Sequence, residues 1–261
     1  HGAILVTALG FTVLIWLAVR SYSDAPPIPQ TVTCGCGRDL FTRDDILAGQ
    51  QVFLKYALME NGTIWGHGAY LGPDFSAQYL HAVAEQGRLG GYRDDLRDLF
   101  KGNRYDPKSG VLVFTEPETQ AFDTQIQYWT RYFASPTNNA GLPAKYISDP
   151  QAIRQLTAFF AWTAWASVAN RPGRNYSYTN NFPYDPEVGN TPTTAAVVWS
   201  ALSLVALLGG TGLVLFAFGR FDFLAWKDIA AHVHPQLLPG VTTPSQRATL
   251  KYFVVAALLF L

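Results

Sequence analysis

GQQVFLKYALMENGTIWGHGAYLGP, residues 49–73, is the stretch on which the fold turns. Its first half continues a helical pattern. Thr42 followed by Asp45 resembles a capping box, with Asp in place of the usual Glu or Gln, and predicts a helix to about Leu58 with Ile46, Val52, Phe53 and Tyr56 as its apolar positions. The second half is a glycine-punctuated loop that carries His67, Gly68 and Tyr70 and ends at Pro73. Asp74, directly after it, is placed to cap a second helix through Ala84. Met59, the chain's only methionine, lies between the two halves.

Helix signals recur further along. Tyr92 to Phe100 predicts a short charged helix, and Thr115 with Glu118 makes a capping box for a helix running past Ile126, Trp129 and Phe133. Asp149-Pro150 opens another, with Pro at the first helical position, where its missing donor costs nothing, and Phe159, Phe160, Trp162 and Trp165 as bulky buried groups. One hairpin signal is read, Asp106-Pro107-Lys108-Ser109-Gly110 before Val111 to Phe114. No internal repeat or low-complexity run is visible, so the expected class is mainly α.

Apolar runs flank this region. Gly2 to Val19 is 18 uncharged residues and Ala195 to Phe218 is 24, each enough to cross roughly 30 Å of hydrocarbon as helix. No n-region or small-residue cleavage site accompanies the first run, so residues 1–19 read as a retained anchor and 195–218 as a second span. A third apolar run, 252–261, starts at Tyr252 and is still apolar at Leu261 after ten residues, too few to reach the far side of a bilayer, so this span is expected to continue. After the first span, Asp24-Ala25-Pro26-Pro27-Ile28-Pro29 cannot be helical and is expected as an extended spacer.

Orientation follows from Lys and Arg in short loops. The loop 219–251 carries Arg220, Lys227, Arg247 and Lys251 against Asp222 and Asp228, and is expected to face the cytoplasm. The segment 20–194 would then be extracytoplasmic, with its 15 basic and 17 acidic residues giving no nucleic-acid surface. Its 175 aromatic-rich residues suffice for one independent core. The expected localisation is the inner membrane, multi-pass, with the large domain outside.

The opening stretch looks like a c-type cytochrome's haem-attachment helix whose haem-binding residues have been replaced. Such attachment needs C-x-x-C-H, two thiols for thioether links and an imidazole on the iron. Here the matching residues are Leu58-Met59-Glu60-Asn61-Gly62, so neither thioether nor proximal ligand is available and no haem c is expected. Met59 lies inside the altered stretch and is no distal ligand.

Longer segments carry a resemblance to a family. Lys55-Tyr56, then Gly66-His67-Gly68-Ala69-Tyr70 and Pro73-Asp74, look like nitric oxide reductases of the haem-copper oxidase superfamily, in which this helix and loop belong to the cytochrome c subunit. In quinol-dependent members that subunit is fused ahead of the catalytic chain and has lost its haem. Trp162-Thr163-Ala164-Trp165-Ala166-Ser167, Arg171-Pro172-Gly173, Tyr178-Thr179-Asn180-Asn181, Gly189-Asn190-Thr191 and Lys251-Tyr252-Phe253 are similar to segments of the same members.

The resemblance implies a quinol-oxidising enzyme that joins two NO molecules and two electrons into nitrous oxide and water. Its haem b, haem b3 and non-haem iron would be held by histidines on later helices. The five histidines here, His1, His67, His81, His232 and His234, do not lie in a span and supply none of those ligands. No catalytic residue is expected in this segment, which would anchor and cap the bundle. The resemblance also implies a calcium ion between the outer domain and the haem propionates, taking backbone carbonyls that match Gly68 and Tyr70. Carbonyl oxygen suits a hard cation. The alternative is a loop that packs against the membrane part.

Other candidates read as structural. Cys34 and Cys36 have one intervening residue, unlike haem or zinc spacing, and form an incidental pair or a strained disulfide. His232-Val-His234 precedes Pro235 without carboxylate or thiol neighbours and reads as solvated loop. His67 is expected to satisfy a buried carbonyl rather than donate to a propionate, and His81 to lie at the surface or in packing. Asp94, Asp95 and Asp98 beside Arg93 and Arg97 read as a solvated face. Gly209-Gly210-Thr211-Gly212 is a helix-packing signal, not a phosphate loop, since no strand precedes it.

Two alternatives share these features. Nitric oxide dismutases have the same architecture and differ in residues beyond Leu261. A membrane-anchored sensor or accessory subunit also places a helical domain between spans, although only 32 residues separate Phe218 from Lys251, too few for an output domain.

Overall fold

The architecture is that of a computed structural model, which describes residues 2–92, 96–221, 252 and 255. The chain divides into two compact units, 1–193 and 194–261. The first contains, in order, α1 (Gly2–Ser23), β1 (Thr31–Cys34), β2 (Asp39–Thr42), α2 (Arg43–Lys55), a 3-10 turn (Leu58–Glu60), β3 (Thr63–Ile64), β4 (His67–Gly68) and α3 (Phe75–Leu89). It continues with α4 (Leu96–Lys101), β5 (Tyr105–Asp106), β6 (Val111–Phe114), α5 (Glu116–Ala134) and α6 (Pro150–Val168). The described part of the second is dominated by α7 (Thr194–Phe221).

Helix α6 is the central post. Apart from its first residues and Arg154 and Gln155 its side chains are buried, and α2, α3 and α5 pack around it. The closest approach is to α2, at Gly49, where a Cβ would stand 2.0 Å from the Gln155 carbonyl oxygen. A glycine inside a helix costs about 1 kcal/mol against alanine. Here it lets two backbones meet and seals Phe53 against Phe159 and Phe160, with ring centroids 5.8 and 6.3 Å apart.

Both expected capping boxes form. Thr42 and Thr115 accept from the amides of Asp45 and Glu118, whose carboxylates accept in return from the threonine amides. Asp74 and Asp149 cap α3 and α6 as predicted. α2 stops at Lys55 rather than Leu58. A continued helix would aim Leu58 about 140° away from Phe53. Ala57 instead takes φ +47°, and the chain turns Leu58 inward to 0% exposure. The charged helix expected at 92–100 is described as α4, with Arg93, Asp94 and Asp95 outside the described residues.

The sequence predicts one hairpin; the structure has more strand. The expected β5–β6 hairpin forms, but β6 also pairs in parallel with β1, and β1 in antiparallel with β2, giving a four-stranded sheet in the order β2-β1-β6-β5. The unread turn is Gly35 to Arg38, where Cys34 and Cys36 form a disulfide. The predicted spacer is non-helical, turning at Asp24 and Ala25 and irregular from 26 to 29, and two of its carbonyls are met by the domain: Trp162 Nε1 donates to Pro27 O at 2.9 Å and Arg171 Nη1 to Asp24 O at 2.6 Å.

α1 and α7 are apolar and exposed along their lengths, and both are long and apolar enough to cross a membrane. Each exceeds its predicted span, α1 by a last turn that ends in an Arg20–Asp24 ion pair of 3.5 Å. Gly209, Gly210 and Gly212 lie within α7 as expected.

Among the described residues, one ion pair has a buried carboxylate. Glu118, its side chain 4% exposed, accepts from Arg104 Nη2 at 2.7 Å while capping α5. Arg104 also donates to Val113 O and Leu99 O, tying the sheet and α4 to the helices. Breaking a buried pair from one side leaves an uncompensated charge. Arg104→Met is therefore expected to lower unfolding free energy by about 3 kcal/mol, with Arg104→Met/Glu118→Gln recovering part of the loss, as read by denaturant unfolding.

Candidate functional site

The loop from Leu58 to Asp74 is fixed from both ends. At its start, Leu58 O accepts the amides of Asn61 and Gly62 at 3.1 and 2.9 Å. Asn61, 5% exposed, donates through its side-chain amide to Ala140 O and accepts from the Tyr132 hydroxyl. At the other end the Asp74 carboxylate collects the loop. Oδ2 accepts from Thr63 Oγ1 and the Gly66 amide, both at 2.7 Å, while Oδ1 accepts from the Ala77 amide at 2.8 Å and from Ser76 Oγ.

Between these anchors β3 and β4 form a two-residue hairpin with Trp65 and Gly66 at its corner, φ +53° and +78°. Two successive positive φ values mark the mirror-image turn that suits strand twist and favours Asn-Gly; a tryptophan there is strained by about 1 kcal/mol. Contacts hold it in place. Its amide donates to Ser76 Oγ, its indole N–H to Thr163 O at 3.0 Å, and its ring lies 5.8 Å from that of Trp162. Backbone strain that is over-determined in this way is a feature of sites that present groups in a fixed geometry.

The presented groups are on the rim. His67 and Gly68 are exposed, Tyr70 is 85% exposed with its hydroxyl on Gly66 O, and Leu71 is 75% exposed. The expectation that His67 satisfies a buried carbonyl is corrected: β4 pairs only with β3 in a separate two-stranded ribbon, and both of its residues are exposed. Gly68 has φ +140°, and a Cβ there would lie 2.3 Å from Gly62 O, so the hairpin admits only glycine. Among the described residues no group of three His, Cys, Asp or Glu side chains could hold a metal ion. A cation at Gly68 and Tyr70 would rest on backbone oxygen.

Behind the 58–62 turn lies a block of rings. A Cβ on Gly62 would touch the Phe75 ring at 2.8 Å, and that ring stacks on Phe160 with centroids 4.8 Å apart and planes 9° apart. Trp129 and Phe53 close on it at 5.4 and 5.8 Å. The chain's only cysteines are bonded to each other in the β1–β2 turn. The residues present therefore do not fit a covalently attached haem here: the attachment turn has no thiol and no imidazole, and aromatic carbon fills the space against it.

A second site was missed by spacing arguments. Lys101, 8% exposed, donates from Nζ to Asn181 Oδ1 and Asn190 Oδ1, both at 2.7 Å. Asn190 also donates to Ser167 O and Pro183 O, and Asn181 to Thr191 O. Arg171 donates to Tyr178 O and lies over the Tyr178 ring. The motifs at 162–167, 171–173, 178–181 and 189–191, scattered in sequence, thus meet in one polar network around a buried ammonium. Burial, and then the charge of Arg97, lowers the Lys101 pKa to about 8.

The other candidates stay apart. His81 and Asp98 are exposed as expected, and Met59 is 43% exposed. His232 and His234 lie outside the described residues, as do Asp94 and Asp95.

The fold and site define a helical module of cytochrome c type, carried with apolar helices of membrane-spanning length, whose attachment turn lacks haem-linking groups. Residues 29–89 and 89–184 match the family of the cytochrome c-like domain of the nitric oxide reductase NorB. This is more than half of the chain, and the chain belongs to that family. No curated protein gives a match.

Asp74→Ala removes a helix cap and the acceptor that closes the loop. It is expected to cost about 2 kcal/mol and to raise hydrogen exchange at the Gly66 and Ala77 amides before the rest of the domain. For Lys101 the folded pKa lies below that of an unfolded lysine, so the unfolded chain binds more protons between pH 8 and 10.5. Stability from this residue is lowest below that window and rises through it. Tyr132, pushed up to about 12 by burial, opposes the rise once unfolded tyrosines ionise near pH 10. Denaturant unfolding from pH 8 to 9.5 should show a larger gain in the parent protein than in Lys101→Met.

Proposed function

We propose that this chain is the N-terminal part of a quinol-dependent nitric oxide reductase, with an extracytoplasmic domain that anchors and caps the catalytic bundle. Membership of the NorB cytochrome c-like family supports the reaction class. The observation that carries the choice of donor is the attachment turn. A domain with Leu58, Met59, Glu60, Asn61 and Gly62 where thiols and imidazole would be, backed by Phe75, offers no route for electrons from outside. A reductant must then reach the metal centres from within the membrane, and a lipid-soluble quinol does so.

Haem b, haem b3 and non-haem iron would be bound by helices beyond this segment, and when bound they supply the redox chemistry. This segment's own residues position and cover. Arg220, Lys227, Arg247 and Lys251 in a short loop support a cytoplasmic placement for 219–251 and an outer placement for 20–194. For calcium, the rim of Gly68 and Tyr70 supplies exposed backbone on a rigid hairpin, which suits a hard cation held by carbonyls.

A reduced-minus-oxidised spectrum of the purified full-length protein should show b haem bands without a c haem band, and quinol but not soluble cytochrome c should support NO consumption. Turnover with cytochrome c would sink the assignment. Metal analysis should find calcium that a chelator removes with a fall in melting temperature; calcium-free active enzyme would remove the Gly68 and Tyr70 site. Gly68 variants are unsuited to this question, because any side chain there strikes Gly62 and opens the hairpin.

A further inference from the structure

The Cys34–Cys36 disulfide lies at the tip of the β1–β2 hairpin, and its two sulfurs have different surroundings. Cys34 is 5% exposed and is held in two ladders, paired with Phe114 of β6 and bonded through its amide to Arg38 O at 2.9 Å. Cys36 is exposed in the turn. The residues on each side of it, Gly35 and Gly37, are so open that a Cβ on either would meet nothing within 4 Å.

The turn does not need the bond. Gly37 donates to Cys34 O and Cys34 to Arg38 O, which close the hairpin through backbone alone. A disulfide enclosing so few residues also restricts the unfolded chain little. What the bond has instead is polarity. The Arg38 amide donates to Cys34 Sγ at 3.2 Å. A hydrogen bond donated to sulfur favours its thiolate, and exchange is faster when the leaving thiol forms its thiolate easily.

We infer that the Cys34–Cys36 turn is a thiol–disulfide exchange site, with Cys36 the sulfur attacked and Cys34 the leaving group, and that its partner is a dithiol. In the first step a partner thiolate bonds to Cys36 Sγ, the Cys34–Cys36 bond breaks, and its electron pair stays on Cys34 as thiolate beside the Arg38 amide. In the second the partner's other thiol, having lost its proton to water, displaces Cys36 as thiolate. The partner leaves oxidised by two electrons, and both cysteines are reduced and free to take up protons.

The test uses the full-length protein in detergent. Incubation with millimolar dithiothreitol, an acid quench, alkylation and peptide mass analysis should find both cysteines reduced within minutes, with the melting temperature shifted by only a few degrees. A pair that stays oxidised until denaturant is added overturns the proposal. With oxidised glutathione, Cys34→Ala, which keeps Cys36, should form its mixed disulfide at least tenfold faster than Cys36→Ser, which keeps Cys34. Equal or reversed rates, with both variants shown folded by their melting temperatures, overturn the assigned polarity and the exchange site with it.

Discussion

Helix α6 is buried on almost every side, and a helix in that position can be accommodated only if its neighbours bring matching surfaces and leave no backbone group unpaired. α2 meets this demand with Gly49, which lets the two backbones touch, and with Phe53, which fills the space beside Phe159 and Phe160. α3 contributes Phe75 and α5 contributes Trp129, whose rings close on Phe160 from two further directions. The polar ends of the post are also taken up: Thr163 O receives the Trp65 indole, and Ser167 O receives Asn190. The loops that bear the candidate sites are therefore extensions of the core and not additions to its surface.

This connection explains why the stretch 58–74 is rigid although it contains almost no regular structure. Leu58 and Gly62 sit against the aromatic block, and Asp74 ties the hairpin corner to the first turn of α3. The result is a fixed rim of His67, Gly68 and Tyr70 above a sealed interior. The rings of Phe75, Phe160 and Trp129 pack behind the turn, which carries neither thiol nor imidazole.

The two polar features outside that loop differ in kind. The network around Lys101 joins α4, the end of α6 and the segment before α7, with every acceptor on the ammonium neutral. It behaves as a structural knot whose charge is disfavoured by burial. The disulfide turn is the reverse, an exposed bond that the fold tolerates without depending on it. Only the second presents a reactive group, Cys36, to solvent.

Helix caps and apolar runs are local statements, which is why Thr42, Asp74, Thr115 and Asp149 announced their helices and why the two long apolar helices were legible from composition. The missing thiols and imidazole at 58–62 were equally plain, because a covalent attachment needs specific residue types at fixed spacing. The parallel pairing of β1 with β6, the end of α2 at Lys55, and the exposure of His67 were not, since each is settled by partners distant in the chain. The polar knot is the clearest case. Lys101, Asn181 and Asn190 carry no mutual signal in sequence, and only the packing of α4 against the loop before α7 makes them neighbours. By itself, then, the sequence determined the helices, the long apolar runs and the absence of thiols and imidazole at 58–62, because those depend on residues close together; tertiary structure decided which loops were tied to the core, which sulfur was reachable and which charge was buried, because those depend on what the fold brings alongside.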